Sequence, residues 1–436
     1  MTYRRMQDPS GIHPDGFTGA LLAGESVLDG AVILHGPTGC RAHHSVMSEH
    51  TFPRDDVPER LNFLEPFYFG QPRIPTTYLD GDDFVFGARE KLVTAIREIV
   101  KRNPSLLTIV NSPGAALIGD NITQAVAESG VPIPCAVIEM PALSCSLAEG
   151  YQQGLVSALQ ALSLPPLTPE ARTVALVGLS IAHQHWAGSV AELRRLLGLC
   201  GIEVLCAVGA GSSVEEYRRL LRAACYAVVH DEYADLVGPW LTEHYGGIVA
   251  ASDAGAPLGF DATARWVEAV ARAVDADPAP ALEDIFAERR RVSRLLGQAT
   301  GSSAVLKGMT FAIQADPSIA MPLARWLYEY IGMLPVAVET PDSRETPLTA
   351  RLRAWLSDIG CAEAWQAPWH LTDPDLLFAG GQQVALAKAT DRVGGIEVML
   401  PARACLDIVP KATLGASGAA WLVEQVLREL WWVLWV

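Results

Sequence analysis

No two of the eight cysteines stand as C-x-x-C, which excludes a zinc ribbon and a thioredoxin-type redox pair. No run of Lys and Arg occurs, and the formal net charge is −16. Nucleic acid and anionic membrane are therefore not expected partners, because binding to phosphate needs clustered positive charge. No stretch reaches about 18 apolar residues, so no membrane-spanning helix is expected. The arginines of MTYRRMQDPSGIHPDG are followed by no apolar segment, so no secretory signal is expected either. No G-x-x-x-x-G-K-[ST] is present, so the chain itself does not bind ATP through a P-loop. These absences describe a cytoplasmic chain with reduced thiols. Cys135, Cys145, Cys200, Cys206, Cys225, Cys361 and Cys405 are each read as a small buried hydrophobe.

What is present is globular. The 436 residues, 50 % hydrophobic and 19 % charged, suit about three α/β units. Short apolar runs ending in Gly, Pro, Asn or Asp alternate with amphipathic stretches. AVILHGPTGC (31–40) runs from strand to glycine turn, and LLTIVNSPGAALIGDNITQAVAESG repeats the form. The proline-rich LSLPPLTPEA (162–171) marks a boundary. RTVALVGLSIA, IEVLCAVGAG and YAVVHDEY build a second unit, and a β-α-β segment from MTFAIQADP to PVAVET opens a third. The expected fold class is α/β, with three Rossmann-like units of parallel strands covered by helices on both faces. The units run over 1–165, 172–300 and 305–436. In such sheets ligands bind beyond the carboxyl ends of the strands, which points to the loops after Leu34, Val110, Leu179, Val229 and Ile313. The final ELWWVLWV (Glu429–Val436) carries three tryptophans and is expected to be buried against this chain's core or a partner.

Several of those loops resemble the nitrogenase component 1 family. HGPTGC (35–40) resembles its H-G-x-x-G-C cluster loop, DFVFGAREKL (83–92) its FGG-x-x-x-L stretch, and IVNSPGAALIGDN (109–121) its S-T-C-x-x-x-x-I-G-D-D segment. The unit at 309–340 and LGASGAAWLVE (414–424) are similar too, all in the same order. The resemblance implies an interfacial [4Fe-4S] cluster. It also implies low-potential electron transfer to a substrate, and ATP hydrolysis on a separate, nitrogenase iron-protein-like reductase.

Cys40 carries the metal assignment, with Gly36 and Gly39 shaping the turn around it. At the end of a buried strand, backbone N–H groups of such a turn lower the cost of gathering thiolates around iron. Without the resemblance, a packed thiol in a turn remains open. Where family members with a full share of the cluster present three cysteines, this chain places Asp15 first and Pro113 or its neighbours third. One thiolate does not hold a cluster that needs four ligands, so the missing ones must come from an α-like subunit or a second copy of this chain. This chain then resembles the β-like side. Asp15 is a candidate oxygen ligand, or else a turn or cap residue in HPDG.

His43 and His44 follow Cys40 and would tune the cluster or relay protons; the alternative is a turn cap and a solvated ring. His183 and His185, in SIAHQHWAG, are expected to line an interdomain pocket, with Trp186 packed beside them. His230 falls where α-type subunits of the family anchor a large metallocluster through cysteine, and is read as a loop residue of the same pocket. The aperiodic stretch 52–84 is expected to cover the cluster or dock the partner. Asp82 and Asp83 within it point apart and make no metal site. Three alternatives to an oxidoreductase subunit stay open: a scaffold for metallocluster or tetrapyrrole assembly, a homodimer, and a family member that has lost its cluster.

Overall fold

The computed structural model describes residues 14–37, 74–139, 145–300, 306–341, 345–390, 393–399, 407 and 409–435. Cys40, Gly39, His43, His44 and Cys405 lie outside them. Three all-parallel sheets form the frame. The first has strand order β1-β2-β3, with β1 Gly30–His35, β2 Leu106–Asn111 and β3 Cys135–Ile138. The second has order β5-β4-β6-β7, with β4 Glu170–Val177, β5 Glu203–Ala207, β6 Ala223–Val228 and β7 Ile248–Ala250. The third has order β11-β10-β8-β9, with β8 Thr310–Gln314, β9 Leu334–Glu339, β10 Leu376–Gly380 and β11 Gly394–Met399.

The unbroken apolar reading of the strands follows from burial on two faces. On β1, Ala31 and Ile33 join Leu92, Ile96, Leu107, Ile109 and Ile122 on one side. Val32 and Leu34 join Phe17, Leu21, Val110 and Ile138 on the other. This is the period of two that a pleated strand imposes on its side chains. The second and third sheets share one continuous core, which the helix Gly415–Trp435 helps to close through Leu422, Val423, Val426 and Leu430.

Two helices fix the first sheet to the rest. Gly16–Glu25 is capped by Asp15, whose side chain accepts from Thr18 N. Leu147–Leu162 carries a reciprocal cap in which Ser146 accepts from Glu149 N and the Glu149 carboxylate accepts from Ser146 N. The two helices touch backbone to backbone. A Cβ at Gly150 would stand 1.9 Å from Gly16 O, so no larger residue fits. Further along, Leu147–Leu162 grips the second unit. Gln152 Oε1 accepts from Leu236 N and Val237 N, while its Nε2 donates to Glu232 O and Asp235 Oδ1.

The third unit's β8-helix-β9 reads as expected, except that the helix Pro317–Arg325 passes into a π-helical turn, Trp326–Ile331. No described helix is long and apolar enough to cross a membrane.

Candidate functional site

Two groups of polar residues gather beyond the carboxyl ends of the strands. The first is at β1 and β2, whose last registered pair is His35 with Asn111. His35 Nδ1 lies 3.0 Å from Thr77 Oγ1, and Gly36 N donates to the same oxygen. Gly36 is required here, because a Cβ would stand 2.5 Å from Ser112 Oγ. The Ser112 hydroxyl accepts from Ala115 N and caps the turn Pro113–Ala116. Among the described residues, His35 Nε2 is buried without a hydrogen-bond partner, 3.8 Å from Asp120 Oδ2, and Asn111 Oδ1 is likewise buried and unpartnered. Burial lowers the His35 pKa, against the pull of Asp120 and Asp83. Asp120 in turn accepts from Ala88 N at 2.7 Å.

Asp15 lies on this side of the molecule as the cap residue. Oδ1 accepts from both Thr18 N and Thr18 Oγ1 at 3.0 Å, and Asp15 bridges to Ser146. That pairing brings Cys145 close, a thiol that burial, Glu149 and Asp15 all hold in its protonated form. Nothing in the sequence signals this, since 130 positions separate Asp15 from Cys145. Asp83 does not stand free beside Asp82. It accepts from Asp80 N and from Lys91 Nζ, and 83–86 is a short helical turn at the edge of the aperiodic stretch. Around it, Phe86 is 84 % and Leu117 87 % exposed, with Tyr78, Phe84 and Val85 also exposed. These surround a small core of Leu79, Ala88, Ala115 and Ile118.

The second group is the histidine junction, where all three units meet. His183 follows β4 and His230 follows β6. Their rings stack at 3.9 Å with planes 10° apart, and Tyr233 meets His183 edge-on at 4.7 Å. Ser180 N donates to His183 Nδ1, so the neutral ring carries its proton on Nε2. Burial pushes the His183 pKa down to about 4 and holds that of His230 well below its ordinary value, with His183 adding to the latter effect. Both rings are therefore neutral at pH 7.

His230 Nδ1 is 2.9 Å from Ser318 Oγ of the third unit. Ser318 N, in the first turn of Pro317–Arg325, donates to Glu232 Oε1 at 2.7 Å. Burial raises the Glu232 pKa to about 7, while the Ser318 hydroxyl and N–H pull it back toward the charged form. Its other oxygen, Oε2, is buried with no partner among the described residues.

His185 does not join the stacked pair. It starts the helix Trp186–Leu199 in a left-handed conformation, its Nδ1 2.5 Å from Asp407 Oδ1 and its ring edge-on to Trp421. Trp186 is buried as expected, beside Gly211. Ser318, Glu232 and Asp407 carry no signal in the sequence that singles them out. Among the described residues no group of three His, Cys, Asp or Glu is placed to hold a metal ion.

The model of the nitrogenase component 1 type oxidoreductases matches residues 16–430. The chain belongs to that family. Among its relatives, the B subunit of the light-independent protochlorophyllide reductase of Methylobacterium sp. (strain 4-46) is 27 % identical over 377 residues, 83 % of this chain and 71 % of that protein. The nitrogenase molybdenum-iron protein beta chain of Methanococcus maripaludis is 23 % identical over 354 residues, 74 % of this chain and 71 % of the relative. The match to the corresponding protochlorophyllide reductase protein of Chlorobium luteolum, 26 % identical, spans 46 % of this chain but 38 % of that protein. A nitrogenase component 1 family fold is seen directly in the structure titled "Nitrogenase Cp1 at pH 6.5". It superposes with a TM-score of 0.74 at 15 % identity, covering 99 % of this chain and 95 % of the other. Three parallel sheets flanked by helices are thus the family's architecture in this oxidoreductase-family chain.

Proposed function

We propose that this chain is the β-like subunit of a nitrogenase-type reductase. In this reading it shares a [4Fe-4S] cluster with an α-like subunit through Cys40 and works with a separate ATP-dependent, iron-protein-like reductase. The observation that carries the reading is the family match along 16–430 together with the chemistry of the β1–β2 end. In the sequence Cys40 is the one cysteine at the three positions where the family presents them, with Asp15 at the first and Pro113 or its neighbours at the third. Such a donor set fits a shared cluster and does not fit one held by this chain alone, since four ligands are needed. The apolar side chains Tyr78, Phe84, Val85, Phe86 and Leu117, exposed near the same end, supply what an interface with a partner buries.

When bound, the cluster supplies one-electron transfer at low potential. This chain's part is to hold the loop that follows β1. Thr77 fixes both His35 and the Gly36 N–H, and Ser112 closes the far side. The histidine junction, where His183 and His230 stack, is the proposed lining of the substrate side, with His185 placed apart by Asp407.

The test is anaerobic purification with any co-purifying chain, followed by iron, acid-labile sulfide and low-temperature EPR for the native and Cys40→Ala forms. About four irons per pair, lost in Cys40→Ala with folding intact, is the expected result. Absence of iron from the native pair under strict anaerobiosis overturns the reading. Iron without turnover in the presence of an ATP-dependent reductase points instead to the scaffold.

A further inference from the structure

Between the second and third units lies a cavity of about 310 Å³ that shares no lining residue with the two polar groups described above. One wall is the helix Phe260–Ala273. The facing wall is the end of Pro317–Arg325 with the π-helical turn Trp326–Ile331, and π-helical turns recur at functional sites. Leu258, Ala262, Pro322, Trp326 and Phe286 line an apolar body. A pocket of this size, apolar along most of its walls and placed at a boundary between units, is the usual form of a small-molecule site.

Donors gather at one end of it. The helix Phe260–Ala273 has Gly259 as its N-cap, at φ 78°, and so has no capping side chain. No described residue accepts from the N–H of Phe260, Asp261 or Ala262. Such first-turn amides carry the positive end of the helix dipole and favour an anion. A Cβ at Gly259 would stand 2.6 Å from Trp326 Cδ1, so glycine alone lets the indole edge come this near. Nε1, bonded to Cδ1, is buried with no partner among the described residues, and Trp326 as a whole is 5 % exposed. Arg265 lines the same cavity, is exposed, and forms no ion pair among the described residues. Helical side chains slant toward the N-terminus of their helix, which carries its guanidinium toward the free amides.

The acids of the lining are mostly engaged. Asp261 is held by Arg289 at 2.6 Å and Glu329 by Arg325 at 2.8 Å. Glu268, the lining carboxylate with no described partner, lies about 10 Å further along the helix than Asp261. Its charge disfavours a second anionic group at the far end.

We infer that this cavity binds a small amphipathic monoanion. Its carboxylate or phosphate is held at the first turn of Phe260–Ala273 by the free amides and Arg265, and its apolar part lies against Pro322, Trp326 and Phe286. The site does not depend on the cluster or on a partner subunit.

Indole nitrogen-15 NMR on the full chain tests it, with Trp326→Phe assigning the Trp326 signal. Hexanoate and hexyl phosphate offer the two anionic groups on one apolar chain, and hexylammonium reverses the charge. At least one anion should move the Trp326 N–H signal downfield to saturation, while hexylammonium leaves it in place. The anion with the lower Kd identifies the group the site takes. Arg265→Gln, at an exposed position, should keep the native urea midpoint and raise that Kd about tenfold or more, as loss of a charged hydrogen bond requires. A signal indifferent to both anions at millimolar concentration overturns the inference. So does an equal response to hexylammonium, or a native Kd in Arg265→Gln. If Trp326→Phe does not fold, calorimetry of the native and Arg265→Gln chains with the same three compounds gives the same decision.

Discussion

A single substitution set separates the cap role of Asp15 from its proposed ligand role. As a cap it satisfies Thr18 N and Thr18 Oγ1 through one oxygen, and replacing a capping Asp by Ala costs about 1 kcal/mol. Asn keeps the accepting oxygen, so Asp15→Asn should unfold in urea within a few tenths of a kcal/mol of the native chain. If Asp15 also ligates iron, Asp15→Asn will hold less iron than native despite equal stability. Equal iron and equal stability would leave it a cap. HPDG already offers the cap as the alternative, because Asp before Gly is a turn and cap residue. What the sequence does not offer is Cys145, brought beside Asp15 through Ser146. Nor does it offer Thr77, which reaches His35 across 42 positions of aperiodic chain. Neither contact leaves a local pattern.

At the level of elements, the strands are legible because burial on both faces writes a continuous apolar run, as Val32 and Ile33 show by entering opposite cores. The helix after β8 is legible to Arg325, and the π-helical turn at Trp326–Ile331 is not, since nothing in WLYEYI departs from ordinary helical composition. The contact of Gly16–Glu25 with Leu147–Leu162 is also invisible in the sequence, although it joins the first sheet to the rest. Gly150→Ala places a methyl 1.9 Å from Gly16 O and should cost about 1–3 kcal/mol or more as the helices part. Gly198→Ala, with open space around it in Trp186–Leu199, should be neutral or raise stability by up to about 1 kcal/mol. Urea unfolding of the two variants beside the native chain checks the pair. Equal effects would show that helix propensity, and not the close contact, governs position 150.

For the whole molecule, the junction sets a dependence of stability on pH with two opposing parts. His183 has a folded pKa of about 4 against an ordinary 6.5, so the unfolded chain binds more protons between those values and stability rises with pH there. Glu232 has a folded pKa of about 7 against an ordinary 4.5, so the folded chain binds more protons and stability falls as pH rises through that window. Above pH 6.5 the histidine part fades as the unfolded imidazoles lose their protons, and comparison with Glu232→Gln isolates the carboxyl's part. Between pH 6.5 and 7.5 the native chain should lose about 0.7 kcal/mol relative to Glu232→Gln. Urea midpoints at pH 5.5, 6.5 and 7.5 decide it; the same fall in both chains would assign the slope to another group. The fold and the family are written along the whole sequence, whereas the junction is half written. His183 and His230 sit where β4 and β6 end, as the strand pattern requires. Ser318 and Glu232 carry no signal, because it is the packing of a third unit that makes them neighbours. The helix Leu147–Leu162 spans both places. It holds Asp15 through Ser146 at its beginning and Glu232 through Gln152 six residues on, about 9 Å along its axis. Both places are bolted to one short girder, so a displacement of Asp15 arrives at the Glu232 main chain with no joint between to absorb it.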